Sequence, residues 1–176
     1  MAKKILVIST SLRERSNSRS LAEAFAAGAV AAGHEVETVS LRDKQISFCR
    51  GCFACLKLGR CVIKDDAPAI VEKMHDAEVI AFASPIYYYE MSGQMKTLLD
   101  RANSLFDSDY AFRQVFLLTA AAEEEEQVPE RAIAGLEGFP RASLAGAVFA
   151  GGLNGEGEIA GHPSLKKAYD MGAAIK

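Results

Sequence analysis

Residues 4–18 read KILVISTSLRERSNS, and the change of character at Ser9 decides the fold. KILVIS is a continuous apolar run, the pattern of a strand buried on both faces, as parallel strands are when helices cover them. Ser9 to Ser18 is rich in hydroxyls. Behind it Leu21, Ala24, Phe25 and Gly28 recur at helical spacing from a start near Arg19, with Glu23 turned to water. A buried strand, a polar loop and an amphipathic helix make the unit from which doubly wound sheets are built.

The unit repeats along the chain. EVETVSL (35–41), EVIAFAS (78–84), VFLLTA (115–120) and LAGAVFAGG (144–152) read as further strands. Met91, Met95, Leu98, Leu99 and Ala102 share a helical face, with Lys96 outside it. Another helix is predicted to start near Pro129, and a last one at Ser164, just after Pro163, running through Leu165, Ala168 and Tyr169. The prediction is an α/β fold with a doubly wound, five-stranded parallel sheet in one domain spanning residues 1–176, with EVETVSL, the most polar strand, at an edge. A hydrophobic fraction of 49% supports a proper core, and the net charge of −3 gives no general pull toward nucleic acid or an anionic membrane. No apolar run reaches membrane-spanning length and MAKKILVIST is too short in its apolar part for a signal peptide, so the expected location is the cytoplasm.

In such a sheet ligands bind beyond the carboxyl ends of the strands. The loop after the first strand offers Ser9, Thr10, Ser11, Ser16, Asn17 and Ser18, with Arg13 and Arg15 among them, and opens onto a helix N-terminus. Hydroxyls, free N–H groups and the positive end of a helix dipole suit a phosphate, and a plain capped turn is the alternative. No glycine precedes Gly28, which excludes a G-x-G-x-x-G dinucleotide loop. After the third strand comes SPIYYYEMSGQMK (84–96). Three consecutive tyrosines in a loop suit a flat aromatic ligand or a subunit interface. Glu123–Glu126 reads as a solvated charge run, and GGLNGEGEIAG (151–161) as a lid or a plain connection.

The chain's four cysteines all fall in CRGCFACLKLGRC (49–61), inside a loop at about 45–65 without clear periodicity. Cys49, Cys52, Cys55 and Cys61 give C-x2-C-x2-C-x5-C, close to the run that holds a [4Fe–4S] cluster, with a longer last gap and no following proline. Zinc and a loop that folds by packing, with Phe48, Phe53 and Leu56 buried, stay open beside the cluster. His34, His75 and His162 have no second ligand at metal spacing.

STSLRERSNSRSL and SPIYYYEMSGQMKTLLDR resemble the phosphate loop and the ring-binding loop of the NADPH-dependent FMN reductases and flavodoxin-like flavoproteins, and CRGCFACLKLGRCVIKDD resembles the cysteine segment of their iron–sulfur branch. The resemblance implies a flavodoxin-like fold and FMN as cofactor. By it Ser11, Arg13, Ser16, Asn17 and Ser18 hold the phosphate, with Ser9 and Leu12 in the same loop. Pro85, Ile86, Tyr87, Tyr88 and Tyr89 wrap the ring, with Ser92 close by. It further implies electrons from NAD(P)H or a reduced carrier, a small-molecule redox substrate, a carrier protein or the cluster as acceptor, and a homodimer or homotetramer. The chain departs from the family at Thr10-Ser11-Leu12-Arg13, where Gly-Ser-Pro-Arg is usual, and at Ser16, where glycine is usual. A non-enzymatic electron carrier and a thiol metal-binding sensor without flavin are the competing functions.

Overall fold

The computed structural model describes residues 1–176. Strand β1 (Lys4–Ser9) lies between two parallel neighbours, β2 (Glu35–Ser40) and β3 (Val79–Tyr87). A two-residue strand, β4 (Glu90–Met91), folds back antiparallel on the end of β3. β5 (Gln114–Ala120) then pairs with β3, and β6 (Ser143–Ala150) with β5, both parallel. The main sheet runs β2-β1-β3-β5-β6. Leaving β4 aside, that is the flavodoxin-like strand order, with its switch point between β1 and β3. The polar strand EVETVSL is an edge, as its composition predicts.

Alternate residues of β1 feed two separate cores, because side chains along a strand point to opposite faces. Ile5 and Val7 join Leu21, Phe25 and Ala168 under α1 (Asn17–Ala31) and α6 (Pro163–Ala173). Leu6 and Ile8 join Ile70, Met74 and Leu98 under α3 (Ala67–Asp76) and α4 (Gly93–Arg101), where α5 (Glu130–Leu136) adds Ala132 and Leu136. A short helix, α2 (Ala54–Leu58), breaks the cysteine loop.

Helix starts follow local chemistry. The Ser16 side chain caps α1 by accepting from Arg19 N–H at 3.2 Å, which starts the helix two residues before Arg19. Ser92 caps α4 in the same way, accepting from Met95 N–H at 3.3 Å. Met91 therefore lies in β4 rather than in the helix that its spacing predicts, though it is buried as that pattern requires. A 3-10 turn, Ala102–Leu105, continues the chain after α4. At α6 the ring of His162 accepts from Ser164 N–H at 3.2 Å, so this histidine is a cap.

Two glycines set the distance between α1 and α6. A Cβ on Gly28 would stand 2.0 Å from the carbonyl oxygen of Tyr169, and one on Gly172 would stand 2.1 Å from that of Phe25. Both obstacles are backbone, so the helices would have to separate. Gly28→Ala and Gly172→Ala should each cost about 1–3 kcal/mol, the usual range for overpacking. Urea unfolding checks this, with Gly93→Ala as the control, because nothing lies within 4 Å of that position.

Candidate functional site

At the carboxyl ends of the strands a cavity of about 360 Å³ is bounded by four loops. The loop after β1 contributes Ser11, Arg13, Ser16, Asn17 and Ser18, and the end of β3 contributes Pro85, Ile86, Tyr87 and Tyr88. These two sequence-predicted groups, about seventy positions apart in the chain (~70), share one wall because β1 and β3 are neighbours. The other walls are Ala120–Glu123 at the end of β5 and Leu153 and Asn154 after β6; the sequence places Glu123 in a solvated charge run and Leu153 and Asn154 in a lid or plain connection, not in the site. What marks them as site walls is position after a strand.

Within the first loop Ser16, Asn17 and Ser18 are buried at the start of α1, and the Ser16 and Ser18 hydroxyls lie 3.2 Å apart. First-turn N–H groups have no partner inside a helix, so this end carries donors and partial positive charge. Asn17 lines the cavity and also reaches beyond its own loop. Its Nδ2 donates to the Gly155 carbonyl at 2.9 Å and its Oδ1 accepts from Ile159 N–H at 3.3 Å. Arg13 donates to the Asn154 carbonyl at 3.3 Å, and Arg15 N–H to Glu156 at 3.3 Å. The glycine-rich stretch 151–161 is thereby fastened to the serine loop. Ser9 is buried with its hydroxyl unpaired, and Leu12 is exposed; neither lines the cavity.

The tyrosines form a tight hairpin. Tyr87 pairs with Glu90, which leaves Tyr88 and Tyr89 as the two turn residues with φ of 51° and 61°. Such a turn favours Asn-Gly, and a side chain as bulky as tyrosine in the left-handed region costs about 1–3 kcal/mol. Tyr88, on the cavity wall, is 97% exposed, and Tyr89, off it, is half-exposed. Ser92, also off the wall, is wholly buried in a network with Thr10 Oγ1 at 3.0 Å and Ser84 Oγ at 3.2 Å, and Thr10 Oγ1 donates to the Ala83 carbonyl at 3.1 Å. That network ties the serine loop, β3 and α4 together.

A second cavity, of about 510 Å³, is lined by all four cysteines together with residues of α4 and the turn after it. The thiols share this wall without converging: no three His, Cys, Asp or Glu side chains are gathered to hold a metal ion. A loop held by its own apolar packing does not describe this segment, because Phe48 is 79% exposed, Phe53 64% exposed, and Leu56 also lies in water. What fixes the loop is Arg101. Its side chain is fully buried and every N–H is used. Nη1 donates to the Ser47 carbonyl at 2.8 Å and Asp65 at 2.6 Å, and Nη2 to Asp65 at 2.9 Å and the Ile63 carbonyl at 3.3 Å. Nε donates to Cys61 Sγ at 3.3 Å. Arg101 closes the stretch SPIYYYEMSGQMKTLLDR and Asp65 lies near the end of CRGCFACLKLGRCVIKDD, but nothing in the sequence pairs the two.

A family model described as NADPH-dependent FMN reductase matches residues 3–132, and the chain belongs to that family of flavodoxin-like oxidoreductases. It is 38% identical over 110 residues to an iron–sulfur flavoprotein of Archaeoglobus fulgidus, covering 62% of this chain and 54% of that protein. It is 37% identical over 102 residues to one of Methanocaldococcus jannaschii, covering 58% and 53% respectively. The chain spans about half the length of the curated relatives it matches. Its fold is similar to that of an NAD(P)H:quinone oxidoreductase from Methanothermobacter marburgensis, with a TM-score of 0.79 over 100% of both chains at 17% identity. No helix is long and apolar enough to cross a membrane.

The Arg101–Asp65 pair has a pH signature. Burial pushes the Asp65 carboxyl up, but the Arg101 guanidinium and the N–H groups of Ser47 and Ala67 outweigh it and hold the pKa at about 2. A carboxylate depressed on folding contributes stability above its unfolded pKa of about 4 and loses it as pH falls through the folded value, and two units correspond to about 2–3 kcal/mol. Asp65→Asn should therefore be less stable than the parent at pH 7. The gap should close between about pH 4 and pH 2, as followed by denaturant midpoints across that range.

Proposed function

We propose that this chain is an FMN-binding oxidoreductase that takes electrons from a reduced nicotinamide or a reduced carrier and passes them to a small acceptor or to an iron–sulfur cluster on its cysteine loop. One observation carries this reading: the serine loop and the Pro85–Tyr88 edge line a single cavity at the β1/β3 switch point. Hydroxyls and helix N-terminal donors at one part suit a phosphate, and a proline, an isoleucine, tyrosines and alanines at the other suit a flat ring. Bound FMN would supply the hydride- and electron-accepting chemistry.

The chain's own residues bind and orient. Ser11, Ser16 and Ser18 would donate to the phosphate, with Arg13 adding positive charge. Asn17 would act at one remove, by holding the 155–159 segment against the loop. Pro85, Ile86, Tyr87 and Tyr88 would border the ring, and the small side chains Ala120–Ala122 leave it room. Because the Tyr88–Tyr89 turn is strained and exposed, it also suits a contact with a second copy of the chain. No side-chain acid or base is assigned, since the cofactor carries the chemistry.

The cysteines fit a cluster by donor type and by sharing one cavity wall, and Cys49, Cys52, Cys55 and Cys61 would be its ligands. Closing on a cluster would require the loop to draw its thiols together, and α2, which carries Cys55, has no buried residue to oppose such a movement. The four thiols in one cavity favour this over a plain flavin reductase.

Ser18→Asp places like charge against the phosphate and should weaken FMN binding by roughly tenfold or more, about 1.4 kcal/mol. A fluorescence titration of the folded variant reads it, and unchanged affinity would remove the serine loop from the site. Separately, anaerobic reconstitution should load about four irons per chain. Cys→Ala at any of the four positions should lower the iron and leave FMN bound; iron-free protein that retains FMN would leave a flavin enzyme without the cluster.

A further inference from the structure

The end of α4 aims two side-chain N–H donors at two of the four thiols. Arg101 Nε–H reaches Cys61 Sγ at 3.3 Å, and Asn103 Nδ2, in the turn just beyond, reaches Cys55 Sγ at 3.6 Å. Both are hydrogen-bond distances for an atom as large as sulfur. We propose that Arg101 and Asn103 are positioning residues that fix these two thiols and raise the reduction potential of the iron–sulfur group they hold, a role that rests on the cysteines being its ligands.

The Arg101 contact is preorganised. Its other four N–H groups are spent on the two limbs of the loop, at Ser47 on one side and at Ile63 and Asp65 on the other. The direction of Nε–H is thus set by bonds that do not involve the thiol. Asp65 offsets the guanidinium charge, which leaves the N–H itself as the local influence on Cys61. Arg50 and Lys96 line the same cavity, so positive charge near the thiols is not particular to Arg101. Asn103 is neutral, and its effect can come only from its amide dipole and N–H. Reduction adds negative charge that spreads onto the ligating sulfurs. A donor to sulfur stabilises the reduced state more than the oxidised one, and removing it lowers the potential.

Lysine cannot replace Arg101, because a single ammonium lacks the planar fork that reaches both limbs and the thiol at once. Leucine at position 103 keeps the volume and removes the donor. The test uses the full chain, loaded anaerobically with ferrous iron and sulfide, as wild type, Asn103→Leu and Arg101→Lys. Iron and FMN per chain are counted, and the cluster and flavin potentials are read by a redox titration followed by electron paramagnetic resonance. Asn103→Leu should keep its iron and FMN with a lowered cluster potential and an unmoved flavin potential. Arg101→Lys should show a larger lowering or lose iron. Should Arg101→Lys fail to fold, Asn103→Leu decides alone: full iron at the wild-type potential overturns the proposal. Wild-type protein that takes up no iron overturns the ligand assignment first, and this role with it.

Discussion

Strand β1 is hydrogen-bonded along both edges, to β2 and to β3, and that double pairing organises the molecule. A strand so placed can show no polar side chain to either face until it ends. Its alternating residues feed both cores, and the first hydroxyls appear at Ser9 and Thr10, where the strand stops. The chain leaves β1 toward α1 on one face and leaves β3 toward α4 on the other, so the space between their carboxyl ends is left unfilled. The cavity is a consequence of the topology. The serine and tyrosine loops decide only what it can bind.

A second constraint governs the cysteine loop. A buried guanidinium must have its donors met, since an unpaired buried charge costs several kcal/mol (~3–5). Arg101 meets all five within one segment, so the loop has one low-energy way to lie against α4 even though Phe48 and Phe53 contribute little burial. Cys61 is caught in that arrangement, whereas Cys49 and Cys52 are exposed. Both limbs of the loop are thus held, at Ser47 and at Ile63–Asp65, while Cys49 and Cys52 between them stay exposed, which is how four thiols can line one cavity and still not converge.

The strands were legible because buried parallel strands leave continuous apolar runs, and all five appear within a few residues of where those runs lie. Helix starts were legible where a side chain caps them, and misplaced where the cap decided the boundary, as at Ser16 and Ser92. The serine and tyrosine stretches could be found because each concentrates one chemistry in a short segment. Ala120–Ala122 and Asn154 could not, since alanine and asparagine after a strand carry no pattern of their own. Asn17 illustrates a different limit. Its motif is the phosphate loop's, yet its amide is committed to a loop some 140 positions on (~140), a pairing that only the fold creates. Arg101 was hidden for the same reason: on a helical wheel it is one more polar residue, and its burial depends on Asp65 arriving from the far side of the cysteine loop.

Helix α4 joins these two constraints. Its N-terminus is fixed by Ser92 in the hydroxyl network with Thr10 and Ser84, directly after the strained tyrosine turn, and its C-terminus is fixed by Arg101 under the cysteines. Nine helical residues span about 14 Å, with no glycine inside the helix after its first position and no proline. A helix held at both ends by buried polar bonds cannot slide without breaking one of them. The spacing between the flavin-type cavity and the cysteine cavity is therefore set by helix length, while the chemistry at either end is left to loops that can vary. Two redox groups held near those ends would have the anchoring points of their loops, at Ser92 and Arg101, kept at one separation, a geometric condition for reproducible electron transfer between them.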